Sequence, residues 1–401
     1  MNKALCCTVL LAIGFFALAN LSSRADQSKQ TKGLPGARPT IQAINYPSLQ
    51  AAFDALPANG GKVVLPAGTF VITKPLVVRA EDVCIEGSGT ATHIKNANKK
   101  GEPALVLEHP DGGTSRKKEL WRIRLANFQV TGNPQSGTGI DCRRINEVFI
   151  DGVTVSRNGG DGIRLFYCYE DPRICDSLIT YNKKIGINLV GCHDITVSAN
   201  QFEENNDALR CINGYNLTMS GNTIDDHLRH GVVIENTYGS VLSGNMIEEC
   251  NGTAIILDRN CYGNTLSANV IAHNGAGIDL RDAHGCAVSA NTFTLMKKDA
   301  LRIGPSSGRI AVSGNSFCNS YIGEGKVKRR VDDLEAAGMV LDGTKDIGIT
   351  GNVFSSVKPK AIELKGKTTR VLVDGNIFTD VTSDHEKKVA PAGVGDNLDS
   401  K

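Results

Sequence analysis

A four-residue pattern recurs along most of the chain: a small residue, an aliphatic residue, any residue and then an apolar residue. From Gly139 to Ala361 its matches begin 23, 24, 22, 23, 23, 23, 23, 38 and 23 residues apart. Alternate residues of a short strand share one face, so the aliphatic positions are predicted to form a single inward column. Members of this predicted column include Ile163, Ile187, Leu209, Val232 and Ile255.

Asparagine recurs at the same period and is a second marker of the repeat. It recurs at Asn200, Asn222, Asn245, Asn269, Asn291, Asn315, Asn352 and Asn376, and the last four are each followed two residues later by Phe. An asparagine amide suits a tight turn and can bond the same amide one coil away. One coil of about 23 residues holds two or three short strands but cannot bury its own apolar face. The two markers therefore predict an all-β solenoid, a single-stranded parallel β-helix whose coils pair backbone to backbone.

The ends of the repeat indicate where the stack begins and ends. Residues 48–56 have helical spacing at Leu49, Ala52 and Phe53, with Ser48 as N-cap, which predicts an N-terminal capping helix. We expect the β-helix to cover residues 41–380. Residues 381–401 are polar and aperiodic, which is typical of a disordered tail.

The first 25 residues have the pattern of a signal peptide. Lys3 precedes an uncharged apolar run from Leu5 to Leu18, and small residues follow. An uncleaved membrane anchor is the alternative, although the run is short for a span. The pattern predicts a secreted or periplasmic protein with no membrane span after cleavage.

Composition narrows the partners and the thiol chemistry. A formal net charge of +2 does not favour nucleic-acid binding, which usually shows a basic excess. Ten cysteines follow the predicted signal peptide, with no CxxC pair. We expect them to be buried free thiols, with a Cys168–Cys192 disulfide as the alternative.

Two segments near the N-terminus, from Tyr46 to Asp54 and from Gly60 to Phe70, resemble the opening of the pectate-lyase-like (pectin-lyase-like) superfamily. The resemblance covers roughly residues 41–380 and implies a right-handed β-helix. Polysaccharide lyases, glycoside hydrolases, C5-epimerases, phage tailspikes and non-catalytic proteins all share that fold, so it leaves the reaction open.

The polygalacturonase branch implies an acidic pair followed one coil later by His-Gly. Asp207 and His230 match part of this motif, but Asn206 stands where the second acid is expected. An inverting hydrolase needs two carboxylates. A glycoside hydrolase related to polygalacturonases therefore stays only an alternative.

Charged residues gather on the outward positions and turns of the middle coils. Acting on a polyuronate by β-elimination or epimerisation needs a neutraliser for the substrate carboxylate and groups that move protons. The candidate catalytic residues are Arg210, His227, His230 and Asp207. The candidate substrate-binding residues are Arg164, Asn188, Arg281 and Arg302. The candidate Ca²⁺ ligands are Asp225, Asp226, Glu235 and Asp258, because Ca²⁺ prefers oxygen ligands.

The leading hypothesis is a secreted carbohydrate-active enzyme that acts on an acidic polysaccharide by lyase or C5-epimerase chemistry, with Ca²⁺ as a possible cofactor. The alternative is a non-catalytic β-helix that binds glycan or serves as a surface scaffold. On that alternative, opposite charges stacked on successive coils merely pair with one another.

Overall fold

The computed structural model describes residues 34–112, 118–318, 337–379 and 381–384. The chain divides into two compact units, Met1–Arg38 and Pro39–Lys401, and the β-helix lies in the second. The predicted signal peptide and most of the predicted tail, residues 385–401, lie outside the described residues. Residues 381–384, which were expected to belong to the disordered tail, are instead bonded to the last coil, where the Asp384 N–H donates to Ile362 O at 2.9 Å.

Three parallel sheets run along the β-helix, and each regular coil visits them in the order sheet 1, sheet 2, sheet 3. Sheet 1 has 12 strands: Leu76–Val78, Leu105–Leu107, Ile140–Arg143, Ile163–Phe166, Ile185–Val190, Asp207–Ile212, His230–Glu235, Thr253–Asp258, Ala276–Leu280, Asp299–Ile303, Ala337–Asp342 and Ile362–Lys365.

Sheets 2 and 3 complete the coils. Sheet 2 has 16 strands: Thr40–Gln42, Gly61–Val64, Val83–Glu86, Leu120–Ala126, Ile145–Asp151, Arg173–Cys175, Thr196–Ser198, Thr218–Ser220, Val241–Ser243, Cys261–Tyr262, Thr265–Ser267, Ala283–His284, Ala287–Ser289, Gly308–Ser313, Lys345–Thr350 and Thr369–Asp374. Sheet 3 has 13 strands: Gly68–Ile72, Thr92–Asn96, Gln129–Thr131, Thr154–Ser156, Leu178–Thr180, Gln201–Glu203, Thr223–Asp225, Met246–Glu248, Val270–Ala272, Thr292–Thr294, Ser316–Cys318, Val353–Ser355 and Ile377–Thr379.

The predicted inward column of sheet 1 is confirmed. Ile163 pairs in register with Ile187, which pairs with Leu209 on the next coil, and the file continues through Val232 and Ile255. All five side chains are fully buried. Each coil buries its apolar residues against the equivalent residues of the coils above and below. The hydrophobic core therefore runs continuously along the β-helix.

The predicted asparagine ladder is also confirmed. The amide Nδ2 of Asn245 donates to Oδ1 of Asn269 at 3.0 Å, and Asn222 donates to Asn245 at 2.9 Å. The same bond recurs from Asn200 to Asn376 at 2.9–3.1 Å. These amides lie in the turn between sheets 2 and 3, where they satisfy buried backbone groups of neighbouring coils.

The phenylalanines that follow this ladder stack as well. Phe293, Phe317, Phe354 and Phe378 lie in one file with ring centroids 4.6–5.2 Å apart and nearly parallel planes. The first three are fully buried, so the file fills the interior behind sheet 3.

A short helix covers the N-terminal end of the stack. It spans Leu49–Asp54, and the Ser48 hydroxyl accepts the Ala51 N–H at 3.1 Å as its N-cap. Leu49, Ala52 and Phe53 are buried against the core. The capping helix is therefore present, and two one-turn 3₁₀ helices, Ala43–Asn45 and Gly89–Ala91, are the remaining helical segments of the described chain.

The ten described cysteines are free thiols, and seven of them are buried. Cys168 and Cys192 belong to this buried group, so the alternative disulfide between them is not present. Among the described residues, no helix combines the length and apolar character needed to cross a membrane.

Candidate functional site

The outer face of sheet 1 carries two columns of residues in the predicted register. Asp141, Arg164, Asn188 and Arg210 pair in sequence along the first column, and Ile212, Glu235 and Asp258 pair along the second. Placing these side chains on adjacent coils brings opposite charges about 5 Å apart. The charge pattern of this face is therefore decided by contacts between coils.

The Asp207 carboxylate is completely buried. It accepts hydrogen bonds from Arg229, with Nε to Oδ1 at 2.7 Å and a second bond from Nη2 to Oδ2. The backbone N–H of His230 donates to Oδ1 at 3.1 Å. Three of the roughly four lone-pair positions of the carboxylate are thus occupied and the group is closed to solvent, so Asp207 positions its neighbours.

His230 is half-buried beside this ion pair. Its Nδ1 accepts the backbone N–H of Thr253 at 3.0 Å. A nitrogen that accepts a hydrogen bond carries no proton, so the ring proton lies on Nε2. Burial also lowers the pKa of His230, partly offset by the Asp207 charge. The imidazole is therefore a neutral hydrogen-bond donor at Nε2.

His227 lies inside the β-helix rather than on its outer face. It is fully buried and occupies the position that asparagine holds on earlier coils in a second ladder of Asn158, Asn182 and Asn205. Its Nδ1 accepts the Asn205 backbone N–H at 3.2 Å, as an asparagine Oδ1 would. A residue enclosed in this way cannot touch a polysaccharide, so the expectation that His227 moves a substrate proton is set aside.

Arg210 and Glu235 form a closed pair. Arg210 Nε donates to Glu235 Oε2 at 2.6 Å, and Arg259 Nε lies 3.1 Å from Oε1 of the same carboxylate. Glu235 is only 8% exposed. With both of its oxygens held by guanidinium groups, Glu235 is not arranged as a Ca²⁺ ligand.

The four predicted substrate-binding residues each have a polar partner on a nearby coil. Arg164 binds Asp141 through two bonds of 2.7 and 2.8 Å, and Asn188 Nδ2 donates to Asp161 at 2.8 Å.

Further along the stack, Arg281 Nε lies 2.8 Å from Asp279 and its Nη1 lies 3.9 Å from Asp258. Arg302 Nη2 donates to Asp342 at 2.6 Å. Each of these guanidinium groups still has N–H donors left over, because one carboxylate uses at most two of the five.

The predicted Ca²⁺ ligands do not come together as one set. Asp225 ends the sheet 3 strand Thr223–Asp225 and Asp226 begins the turn to sheet 1; ligand atoms of these two residues and Glu249 fall within 4.8 Å of one another. Glu235 and Asp258 lie at the opposite end of sheet 1, across a strand about 16 Å long. Burial and the Asp226 charge raise the pKa of Glu249. Ca²⁺ at Asp225 and Asp226 stays a prediction.

A stripe of aromatic rings that was not predicted from the sequence lies where sheet 1 passes to sheet 2: four members lie in the turn, and Tyr262 and His284 each end a two-residue strand of sheet 2. We call it the aromatic stripe; its members are Tyr169, His193, Tyr215, Tyr238, Tyr262 and His284. They follow one another at 24, 22, 23, 24 and 22 residues. Their recurrence at a period of about 23 residues, once per coil, is the sequence signal that would have revealed them.

Family and structure comparisons place the fold. The family described as "Right handed beta helix region" matches residues 82–227, and the family described as "Periplasmic copper-binding protein (NosD)" matches residues 189–328. No curated protein sequence matches the chain. The chain thus has the right-handed parallel β-helix fold.

Several solved structures share this fold at low identity. The A-module of mannuronan C-5 epimerase AlgE6 from Azotobacter vinelandii is 16% identical, with a TM-score of 0.65 over 84% of this chain and 99% of that one. The catalytic unit of a GH87 α-1,3-glucanase from Streptomyces thermodiastaticus is 16% identical, with a TM-score of 0.62 over 86% and 71%. The tailspike protein of the E. coli bacteriophage HK620, solved with a pentasaccharide, is 14% identical, with a TM-score of 0.58 over 83% and 74%.

Proposed function

We propose that this protein binds an acidic polysaccharide along the outer face of sheet 1 and holds it without changing it chemically. The observation that carries the proposal is the fixed tautomer of His230: its Nδ1 accepts a hydrogen bond from the Thr253 N–H, so its proton lies on Nε2. A general base needs a free lone pair on the nitrogen that faces the substrate. His230 instead offers an N–H donor, which suits a sugar or carboxylate oxygen.

The other groups expected to carry lyase or epimerase chemistry have structural partners. Asp207 is buried against Arg229, and Glu235 is shared by Arg210 and Arg259. This supports the non-catalytic alternative over the enzymatic hypothesis. The comparisons agree with a polysaccharide as ligand, because the names of the similar structures include an epimerase, a glucanase and a tailspike.

Exposed guanidinium groups supply the charge that an acidic chain needs. The side chains of Arg229, Arg259 and Arg281 are 54%, 62% and 44% exposed. Planar guanidinium groups bind carboxylates through paired hydrogen bonds. A polyuronate lying across successive coils would use these free donors together with His230 Nε2.

Copper, named in the description of one matching family, does not fit the described residues. Burial raises the pKa of Cys211 and Cys250 to about 12 and that of Cys261 to about 11, so these thiols stay protonated at neutral pH. The partly buried cluster of Glu248, Glu249 and His273 is mainly carboxylate, a donor type that favours harder cations. The periplasmic part of the description agrees with the predicted signal peptide, and we extend the proposal to a periplasmic or secreted location.

The test is a titration of the full chain with alginate and polygalacturonate oligosaccharides, followed by calorimetry. Replacing Arg281 or Arg259 by Gln should weaken binding about tenfold, since each loses a charge-assisted hydrogen bond. Arg309→Gln, an exposed arginine on sheet 2, is the control and should bind like the wild type.

Turnover is measured on the same samples. Ultraviolet absorbance from unsaturated ends and NMR signals from epimerised residues should both stay flat. Production of either by the wild type, with loss in His230→Ala, would overturn the non-catalytic assignment in favour of lyase or epimerase chemistry.

A further inference from the structure

The aromatic stripe contains one run of four rings in contact, from Tyr169 to Tyr238, and one pair, Tyr262 and His284, whose centroids lie 6.3 Å apart. Ring centroids of Tyr169 and His193 lie 4.6 Å apart, those of His193 and Tyr215 lie 4.5 Å apart, and those of Tyr215 and Tyr238 lie 5.5 Å apart. Backbone bridges between coils hold His193, Tyr215, Tyr238 and Tyr262 in register. The spacing of the rings is thus imposed by the coil repeat.

Two of these rings are open to solvent, and the other four are half-buried. Tyr215 is 45% exposed and Tyr262 is 44% exposed, although mutual stacking alone could have buried them. The two ring pairs that involve His193 are edge-to-face, at 71° and 63°. Aromatic surface that recurs on successive coils and stays partly exposed is a candidate binding surface.

Amide side chains line the stripe in the same register. Asn213, Asn236 and Asn260 each precede the aromatic residue of their coil by two positions. Asn236 Nδ2 donates to Asn213 Oδ1 at 2.8 Å, and the Tyr238 hydroxyl donates to Asn236 Oδ1 at 3.0 Å. Each amide has two donors and an acceptor, so donors and acceptors are left over along the edge of the stripe.

The charge beside the first four rings of the stripe favours a neutral ligand over an anionic one. No Lys or Arg occurs within three residues of Tyr169, His193, Tyr215 or Tyr238, whereas Glu170, Asp171 and Asp194 do; Arg259 and Arg281 each lie three residues before one of the last two rings. A ligand that fits rings bordered by amides and a few carboxylates has apolar C–H faces and neutral hydroxyl groups. Pyranose sugars without carboxylates have that chemistry.

We infer that the aromatic stripe is a second glycan-binding track, which takes an uncharged pyranose polysaccharide running along the coils. It rests on the proposed function only in that both ligands are polysaccharides, since it uses different residues from the outer face of sheet 1. The sugar rings lie against the aromatic rings, and their hydroxyls bond the neighbouring amides. Six rings on successive coils span about 24 Å, enough for an oligosaccharide of several residues.

The test measures binding of uncharged hexasaccharides of glucose, mannose and xylose to the full chain by calorimetry. Tyr215→Ala and Tyr262→Ala should each weaken binding of the preferred hexasaccharide at least tenfold, while Tyr215→Phe keeps it. The matched control is Tyr181→Ala, because Tyr181 is 40% exposed but lies in the turn between sheets 3 and 1. Unfolding temperatures of all variants report any purely structural role.

Two outcomes overturn the inference: no uncharged hexasaccharide binds, or the stripe variants bind normally while their unfolding temperature falls. Arg259→Gln and Arg281→Gln separate this result from the proposed function. These two arginine variants should lose binding of polyuronate and retain binding of the uncharged hexasaccharide. The stripe variants should retain binding of polyuronate and lose binding of the uncharged hexasaccharide. Each of the two proposals can therefore fail while the other holds.

Discussion

At the scale of single residues, His227 shows how the interior of the β-helix tolerates an exception. Its Nδ1 stands in for an asparagine Oδ1 toward Asn205, but its Nε2 is buried without a hydrogen-bond partner. Burial lowers the pKa of His227 to about 4. In the unfolded chain an imidazole titrates near 6.5, so between these values the unfolded state binds more protons.

Stability should therefore fall as the pH drops from 6.5 toward 4. We expect His227→Asn to remove this loss, making the variant about 2 kcal/mol more stable relative to the wild type at pH 5 than at pH 7. Urea unfolding at the two pH values checks the prediction. Equal pH dependence of His227→Asn and the wild type would contradict the assignment.

At the scale of elements, the strands of this protein are too short to be stable alone, and the turns hold them in register. Most strands of sheet 3 contain three residues. The asparagine ladder therefore contributes strongly to the stability of the stacked coils, although it places only one residue in each coil. Asn245 donates to Met219 O and Asn269 Oδ1 and accepts from the Asn222 backbone and side chain.

Removing that amide leaves several buried polar groups without partners. Asn245→Ala should lower the free energy of unfolding by about 3 kcal/mol. Asn251→Ala is the matched control, because the Asn251 side chain is exposed and its loss should cost less than about 0.5 kcal/mol. A loss for Asn245→Ala no greater than that of the control would show that the ladder is incidental.

At the scale of the whole molecule, each coil contacts mainly its neighbours, so disturbance at one end should fade along the stack. Phe53 of the capping helix is buried against the first coils and is the point at which to test this.

Phe53→Ser should raise amide exchange in the strands Gly61–Val64 and Val83–Glu86 and leave the strands between residues 207 and 280 unchanged. Hydrogen–deuterium exchange with mass spectrometry measures both regions. Ile44→Ser, at a residue that is 72% exposed, should leave exchange unchanged throughout. Equal acceleration along the whole chain would mean that the β-helix opens as one unit.

The repeat alone determined the fold of this protein. Columns such as Ile163 to Ile255 and the ladder through Asn245 follow from a period of about 23 residues, because stacking coils forces equal positions into one file. The same period also held the aromatic stripe, which is visible in the spacing of Tyr215, Tyr238 and Tyr262.

Only the tertiary structure decided which charged residues are free to act. The sequence puts Asp207, Glu235 and His227 near the outer face, yet the first is buried against Arg229, the second is held between Arg210 and Arg259, and the third points inward. The partners lie on other coils, 22 to 25 residues away, and the direction of a turn side chain depends on the local backbone. Periodicity predicts which residues stack, but pairing and burial depend on side-chain contacts that a single sequence does not contain.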